Sequence, residues 1–399
     1  MAENENGLLT EAEEKENIND ETWQSDIREE SLASAFRRLC PKVCYAFFAL
    51  LGLGIIIQVI CIISTPFADF WNRYPAAFFR MILAKLTGWF PFSLAECTIL
   101  ALPIAIVVIV VCAIVLFKKN ADKLVKLLSG MLAFVSALFG IFFLNFSPGY
   151  RTSTIDKKLC LERSEVSAEE LTGAANAVSA LLDVLSDGVN FTYGGESVMP
   201  YSFSEMNGKL NAAHKKASEK YGFIPDFSST VKQIANSELY TYTHISGVYS
   251  YFTGESNVNI NFPDFVIPYT AAHEMAHQRG IAREDEANFV AFLVCMESDD
   301  IYVRYSACLN IYEYLTNSLY SADRDAYKEV VLGTDMRVRY ELNAYSEFFE
   351  KYEKNVAATV SNAVNDTFLK VQGQKAGSRS YDLVTDLTVA LYRADMMPE

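Results

Sequence analysis

Two histidines four residues apart bracket a glutamate in the string His273-Glu274-Met275-Ala276-His277. On a helix, residues four apart share a face, so the two imidazoles can bind one metal ion. Glu274, beside the first of them, can reach a water at that ion without binding it. Zinc lowers the pKa of such a water, and a carboxylate takes its proton as it attacks a carbonyl. The chain has only four histidines, two of them here, and Ala271, Ala272, Met275 and Ala276 suit a buried helix. The expectation is one zinc per chain, Glu274 as general base, and hydrolysis of a peptide bond.

Catalytic zinc usually takes three protein ligands, and the candidates for the third are Glu284, Asp285 and Glu286. A single straight helix delivers none of them. At about 1.5 Å per residue Glu286 would lie some 13 Å beyond His277 and on the opposite face, and Glu284 about 10 Å along the axis. The helix must therefore stop. Gly280 is placed to stop it, since glycine accepts a positive φ. A second helix beginning near Arg283 would then carry Glu286 back to the metal. Asp285 is a candidate for orienting a ligand histidine, with a surface carboxylate as its plain alternative.

The pair His273-Glu-Met-Ala-His277 and Glu286-Ala-Asn-Phe-Val-Ala291 resembles the zincins of the glutamate-ligand class. In those, a glutamate followed by small residues stands on a second helix. The Glu-Ala-Asn run is similar to that of the ImmA/IrrE-type peptidases, with a shorter gap. The whole layout, apolar spans followed by HEMAHQRGIAREDEANF, resembles a family of bacterial membrane proteins catalogued as domain of unknown function 3810. The zincin resemblance implies Glu286 as third ligand, with Glu284 the second choice. The metzincin pattern HExxHxxG fails here, because its third ligand falls at Arg283, which cannot bind zinc.

Zincins often hold their substrate by main-chain pairing along an edge strand ahead of the motif helix. Glu255, Asn257 and Asn259, in the run up to Asn261, occupy that place. His244, Tyr242 and Tyr381 are weak candidates for donating a hydrogen bond to the oxyanion, and His214 reads as a surface residue.

The elements that must position these groups follow from patterning. Ser167-Ala-Glu-Glu170 and Ser202-Phe-Ser-Glu205 are capping boxes, opening helices to about Leu185 and Tyr221. Residues 246 to 252 and 255 to 261 read as a hairpin or small sheet, Pro263 ends it, and Pro268 suits the first turn of the motif helix. From residue 300 onward the pattern is mostly helical, with a break from Gly373 to Gly377. The expected domain, residues 151 to 399, is a mainly helical α+β zincin-like fold with a small sheet.

Ahead of it lie three apolar runs, about residues 42 to 64, 98 to 117 and 127 to 147, each long enough to cross a bilayer. They make residues 40 to 148 a membrane domain. The stretch from 70 to 95 reads as amphipathic at the membrane surface or as an ordered loop. Residues 1 to 39 carry eleven acidic and four basic side chains, too polar for a core, and read as a disordered tail. Basic flanks at Arg37, Arg38, Lys42 and at Lys118, Lys119, Lys123, Lys126 place the N-terminus in the cytoplasm and the C-terminal domain outside the cell membrane. A net charge of −15 without a Lys/Arg cluster argues against nucleic acid. The eight cysteines show no CxxC. The expected partners are the lipid bilayer and a peptide or protein substrate. Two other readings are an inactive zinc-binding sensor and a structural membrane protein in which the motif is incidental. An intramembrane protease is disfavoured, because Asp264, Gln278, Arg279 and Arg283 flank the motif.

Overall fold

The computed structural model describes residues 37–353 and 355–398; the acidic tail expected before residue 40 falls almost wholly outside them. The first half of the chain is helical: α1 (Lys42–Ile63), α2 (Thr65–Trp71), a π-helical turn over Asn72–Ala76 that takes in Pro75, α3 (Ala77–Thr87), α4 (Leu94–Lys119) and α5 (Ala121–Asn145). Among these α1, α4 and α5 are long and apolar enough to cross a membrane. They coincide with the three expected spans to within a few residues at each end.

The second half contains α6 (Ala168–Ser186), α7 (Phe203–Tyr221), the strands β1 (Lys232–Gln233), β2 (Gly247–Ser250) and β3 (Glu255–Val258), then α8 (Val266–Gln278), α9 (Glu284–Met296), α10 (Ile301–Ala322), α11 (Arg324–Gly333), α12 (Met336–Glu350), α13 (Val356–Val371) and α14 (Val384–Arg393). Both expected capping boxes are present. Ser167 and Ser202 accept the N3 N–H groups, and Glu170 and Glu205 bond back to the cap N–H groups. Each box satisfies amides that a helix start otherwise leaves orphaned.

Packing divides the chain into two units. One comprises the chain up to Ala49 together with Ile106–Ser136, and the other Leu50–Ala105 with Ala137 onward. In the first, Cys40, Cys44 and Ala133 form a small buried cluster with Phe48. The second holds the main core. There α10 runs through the middle, flanked by α6, α8, α9 and α14, and it is apolar around most of its circumference, with Val303, Tyr305, Cys308, Leu309, Ile311, Tyr312 and Leu315 all buried. A helix buried on nearly every side reads as apolar all round, which is what these residues supply.

The sheet has the order β1-β3-β2, with β3 parallel to β1 and antiparallel to β2. The run expected as an edge strand is therefore central: β2 covers one edge of β3 along its length, and β1 lies beside Asn257 and Val258 on the other. Its side chains are engaged as well. Glu255 accepts the N–H groups of Leu94 and Ala95 at the start of α4. The Asn257 amide donates to the carbonyls of Val248 and Glu255, and that of Asn259 to Thr241 and the Ile245 carbonyl. Ser256 donates to the Glu274 carbonyl at 3.0 Å, tying the sheet to α8.

The segment between α1 and α4 is helical, and it is not simply a surface stretch. Arg80 is fully buried. It donates to the Asn72 side-chain and backbone oxygens, to the Asn145 carbonyl at the end of α5, and to the Arg279 carbonyl just beyond α8. Asn72 in turn donates to the Gly280 carbonyl at 2.9 Å. His214, read as a surface residue, is buried in α7, where desolvation and then Arg279 lower its pKa well below the ordinary value.

Candidate metal centre

α8 carries His273, Glu274 and His277 into the buried interior. The four-residue spacing sets the two imidazoles edge to face, with ring centroids 4.5 Å apart. The helix ends at Gln278. The Gly280 N–H bonds the His277 carbonyl and the Ile281 N–H reaches back to Ala276, the pairing of a glycine-terminated C-cap. Gly280 has φ +95°, and a Cβ there would stand 2.3 Å from Arg80 Nη2. Conformation and space both require glycine at this turn. The chain reverses, Arg283 becomes the N-cap in extended conformation, and α9 starts at Glu284.

The reversal brings Glu284 to the imidazoles. Its Oε2 lies 3.3 Å from His273 Nε2 and 3.2 Å from His277 Nε2, and one ligand atom from each of the three residues lies within 4.8 Å of the others. Ligands bound tetrahedrally at about 2.0–2.1 Å stand about 3.3 Å from one another, so both imidazole–carboxylate separations match a shared zinc. The donor set, two neutral imidazoles and a carboxylate, is one that zinc takes in hydrolases. His277 Nδ1 is 2.7 Å from the Ile281 carbonyl and must donate to it, which leaves Nε2, the nitrogen facing Glu284, as the one that could bind a metal once its proton is gone. Although burial opposes charge on both, Glu284 raises the His277 pKa to about 9, and His277 with His273 holds Glu284 well below the carboxylate range.

Glu286, the third ligand implied by the resemblance, is turned elsewhere. Its carboxylate accepts Arg283 at 3.0 Å and the Ile155 N–H at 3.1 Å. α9 begins where expected, but at N1 Glu284 already meets the histidines, and Glu286, two residues on, points about 200° around the helix. Asp285 is buried and pairs with Arg163 at 2.9 Å, so the backbone of Ile281, and not Asp285, orients His277. Arg283, the residue that excludes the metzincin pattern, also donates to the carbonyls of Tyr150 and Thr152, fixing the start of α9 to the chain just after α5.

Glu274 lies against β2. The Tyr249 N–H donates to its carboxylate, while burial, only partly offset by the two histidines, raises its pKa. A Cβ at Gly247 would come within 2.6 Å of both Glu274 Oε1 and Thr270 Cγ2, so glycine lets the strand pass directly over the carboxylate. β2 pairs with β3 on one side. Residues 243 to 249 and the cluster line one cavity of 1040 Å³. β2 thus stands where β3 was expected.

Tyr381 and His244 both line this cavity. Tyr381 accepts the Asn365 amide at 3.4 Å, and burial followed by the charge of Glu284 pushes its hydroxyl pKa well above the ordinary value. His244 is tied back, with Nε2 2.8 Å from the Tyr352 carbonyl and its ring against Phe349. Tyr242 packs on the Tyr352 ring at 5.0 Å. Three lining residues escaped the sequence reading. Phe146, at the end of α5, stacks edge-on against His277 at 5.9 Å, and Tyr150 lies near Glu284, whose charge raises its pKa in addition to burial. Glu313 on α10 is the third, and the signal for it is that it is the one acidic residue of that helix.

Residues 72–389 match the model of the family described as "Protein of unknown function (DUF3810)", and the chain belongs to that family. No curated protein and no solved structure matches it.

Proposed function

We propose that this chain is a membrane-anchored zinc hydrolase acting on peptide bonds, with His273, His277 and Glu284 as metal ligands and Glu274 as general base. The supporting observation is the convergence of one atom from each of those three ligands within 4.8 Å, with Glu274 on the same helix and facing the same cavity. Zinc held by that set would supply Lewis acidity to a water and to the scissile carbonyl.

Glu274 takes the proton. Its burial raises the carboxyl pKa and makes it a stronger base than a solvated glutamate, while the Tyr249 N–H keeps it aimed. Tyr381 stays protonated and offers its O–H to the developing oxyanion. A peptide lies along the edge of β2 that no described strand covers, its main chain pairing with Gly247 and with the Tyr249 carbonyl. The basic flanks of the three apolar helices support a site on the outer side of the cell membrane, with the N-terminus inside, and substrates that are extracytoplasmic peptides or proteins.

The test is metal analysis and peptide hydrolysis on the purified full-length chain. About one zinc per chain is expected. Glu274→Gln keeps zinc and loses hydrolysis, and Glu284→Ala loses zinc whereas Glu286→Ala retains it. A Glu274→Gln variant with full activity overturns the mechanism, and absence of zinc with both histidines intact overturns the whole reading.

A further inference from the structure

Glu313 stands on α10, in the wall of the cavity that also contains His273, Glu274, His277 and Glu284. Its helix neighbours Ile311, Tyr312 and Leu315 are buried in the core. Asn310 and Asn317, three residues before and four after it, line the same cavity, as do Tyr314 and Tyr345; on a helix those spacings place both amides beside the carboxylate.

The buried glutamates near the site and in the adjoining core each have partners. Glu284 has two imidazoles, Glu274 a backbone N–H, Glu286 an arginine and Glu341 the hydroxyls of Ser197 and Tyr305. Glu313 differs. Among the described residues none is hydrogen-bonded or ion-paired with its carboxylate, and no lysine or arginine lines the cavity. Glu313 is half-buried and lines the cavity, so its carboxylate is left to a ligand that enters there and brings charge and donors. Burial alone pushes this carboxyl up to about 7, so a cation placed beside it would hold it ionised.

We propose that Glu313 is the cation-recognition group of the cavity and receives an ammonium carried by the substrate, either a free peptide N-terminus or a lysine side chain. The three N–H donors of an ammonium suit this wall: the Glu313 carboxylate takes one or two, and the side-chain oxygens of Asn310 and Asn317 are within the same helical face for the rest. The assignment of the bound molecule as a peptide rests on the peptidase reading above.

The experiment uses the full-length protein in detergent, with Glu274→Gln to arrest turnover, and three probes: penta-alanine with a free amino terminus, N-acetyl-penta-alanine amide, and an N-acetylated alanine peptide amide bearing one lysine. At least one cationic probe binds about tenfold or more tighter than the neutral one, the scale of a charge-assisted hydrogen bond. Which of the two responds identifies the source of the ammonium. Adding Glu313→Gln removes that preference while leaving zinc content and neutral-probe binding unchanged, and Glu313→Asp, which keeps the charge, retains part of it. Equal binding of all three probes, no measurable binding of any, or an equal loss for all on Glu313→Gln overturns the proposal. If the cation preference holds but the protein with Glu274 intact cleaves no peptide, the peptidase reading fails and the Glu313 assignment stands. Cleavage without any cation preference overturns the Glu313 assignment and leaves the peptidase reading in place.

Discussion

At the scale of residues, the centre is a balance among three side chains, Glu284 between His273 and His277. Before metal binds, Glu284 raises the His277 pKa to about 9. The imidazolium–carboxylate attraction therefore stabilises the metal-free fold fully below the ordinary histidine value and is lost as pH rises through about 9. Metal ligation needs the neutral imidazole, so zinc bound as proposed would displace that proton. Zinc affinity should rise with pH between about 6.5 and 9, by up to about tenfold per unit, with release of about one proton. Calorimetric titration across that range in two buffers of different ionisation enthalpy measures both quantities. An affinity that is flat with pH would show that His277 is already neutral in the metal-free protein.

At the scale of elements, the decisive one is the reversal between α8 and α9, and it is fastened from outside. Arg80 and Asn72 hold the carbonyls of Arg279 and Gly280, and Gly280 has no room for a side chain because Arg80 is there. Replacing Arg80 by methionine keeps the bulk and strips donors from four buried oxygens, at about 1–3 kcal/mol each. Arg80→Met should lower the unfolding temperature and weaken zinc binding by about tenfold or more. Arg80→Lys, which can satisfy only part of the set, should fall between. Thermal unfolding with and without zinc separates the two effects; a variant equally destabilised in both conditions, with unchanged zinc affinity, would make Arg80 a fold residue only. This clamp also marks where the sequence stops being readable. The histidine spacing, the stop at Gly280 and the capping boxes at Ser167 and Ser202 are local, each settled within about five residues, and so all were legible. The choice between Glu284 and Glu286 was not: it depends on the residue at which α9 begins, and that is fixed by Arg283 reaching the carbonyls of Tyr150 and Thr152. The run from Glu255 was read as an edge strand for a related reason. Alternation in Glu255–Val258 marks a strand, but only its pairing with both β1 and β2 makes it central.

At the scale of the whole molecule, composition draws a line near residue 150 between apolar runs and globular chain, yet the residues that frame the candidate metal centre come from both sides of that line. Phe146 packs on His277, Tyr150 lies beside Glu284, Arg283 donates to the carbonyls of Tyr150 and Thr152, and Arg80 with Asn72 grips the turn at Gly280. Leu50–Ala105 accordingly belongs to the same packing unit as everything from Ala137 onward. A domain that merely hung from an anchor would keep its candidate site when the anchor was cut. Here the fragment from residue 151 to 399 would leave His277 without its aromatic wall and the turn without its donors. It should bind zinc at least about tenfold more weakly than the full chain, unfold at lower temperature, and expose apolar surface where Phe142, Phe146 and Tyr150 had been buried against Tyr249, Tyr251 and Phe368. Supplying residues 50 to 399 should restore the affinity. Zinc titration of the three chains in one detergent decides this, and a fragment from 151 that matched the full chain would reduce the membrane segments to a tether.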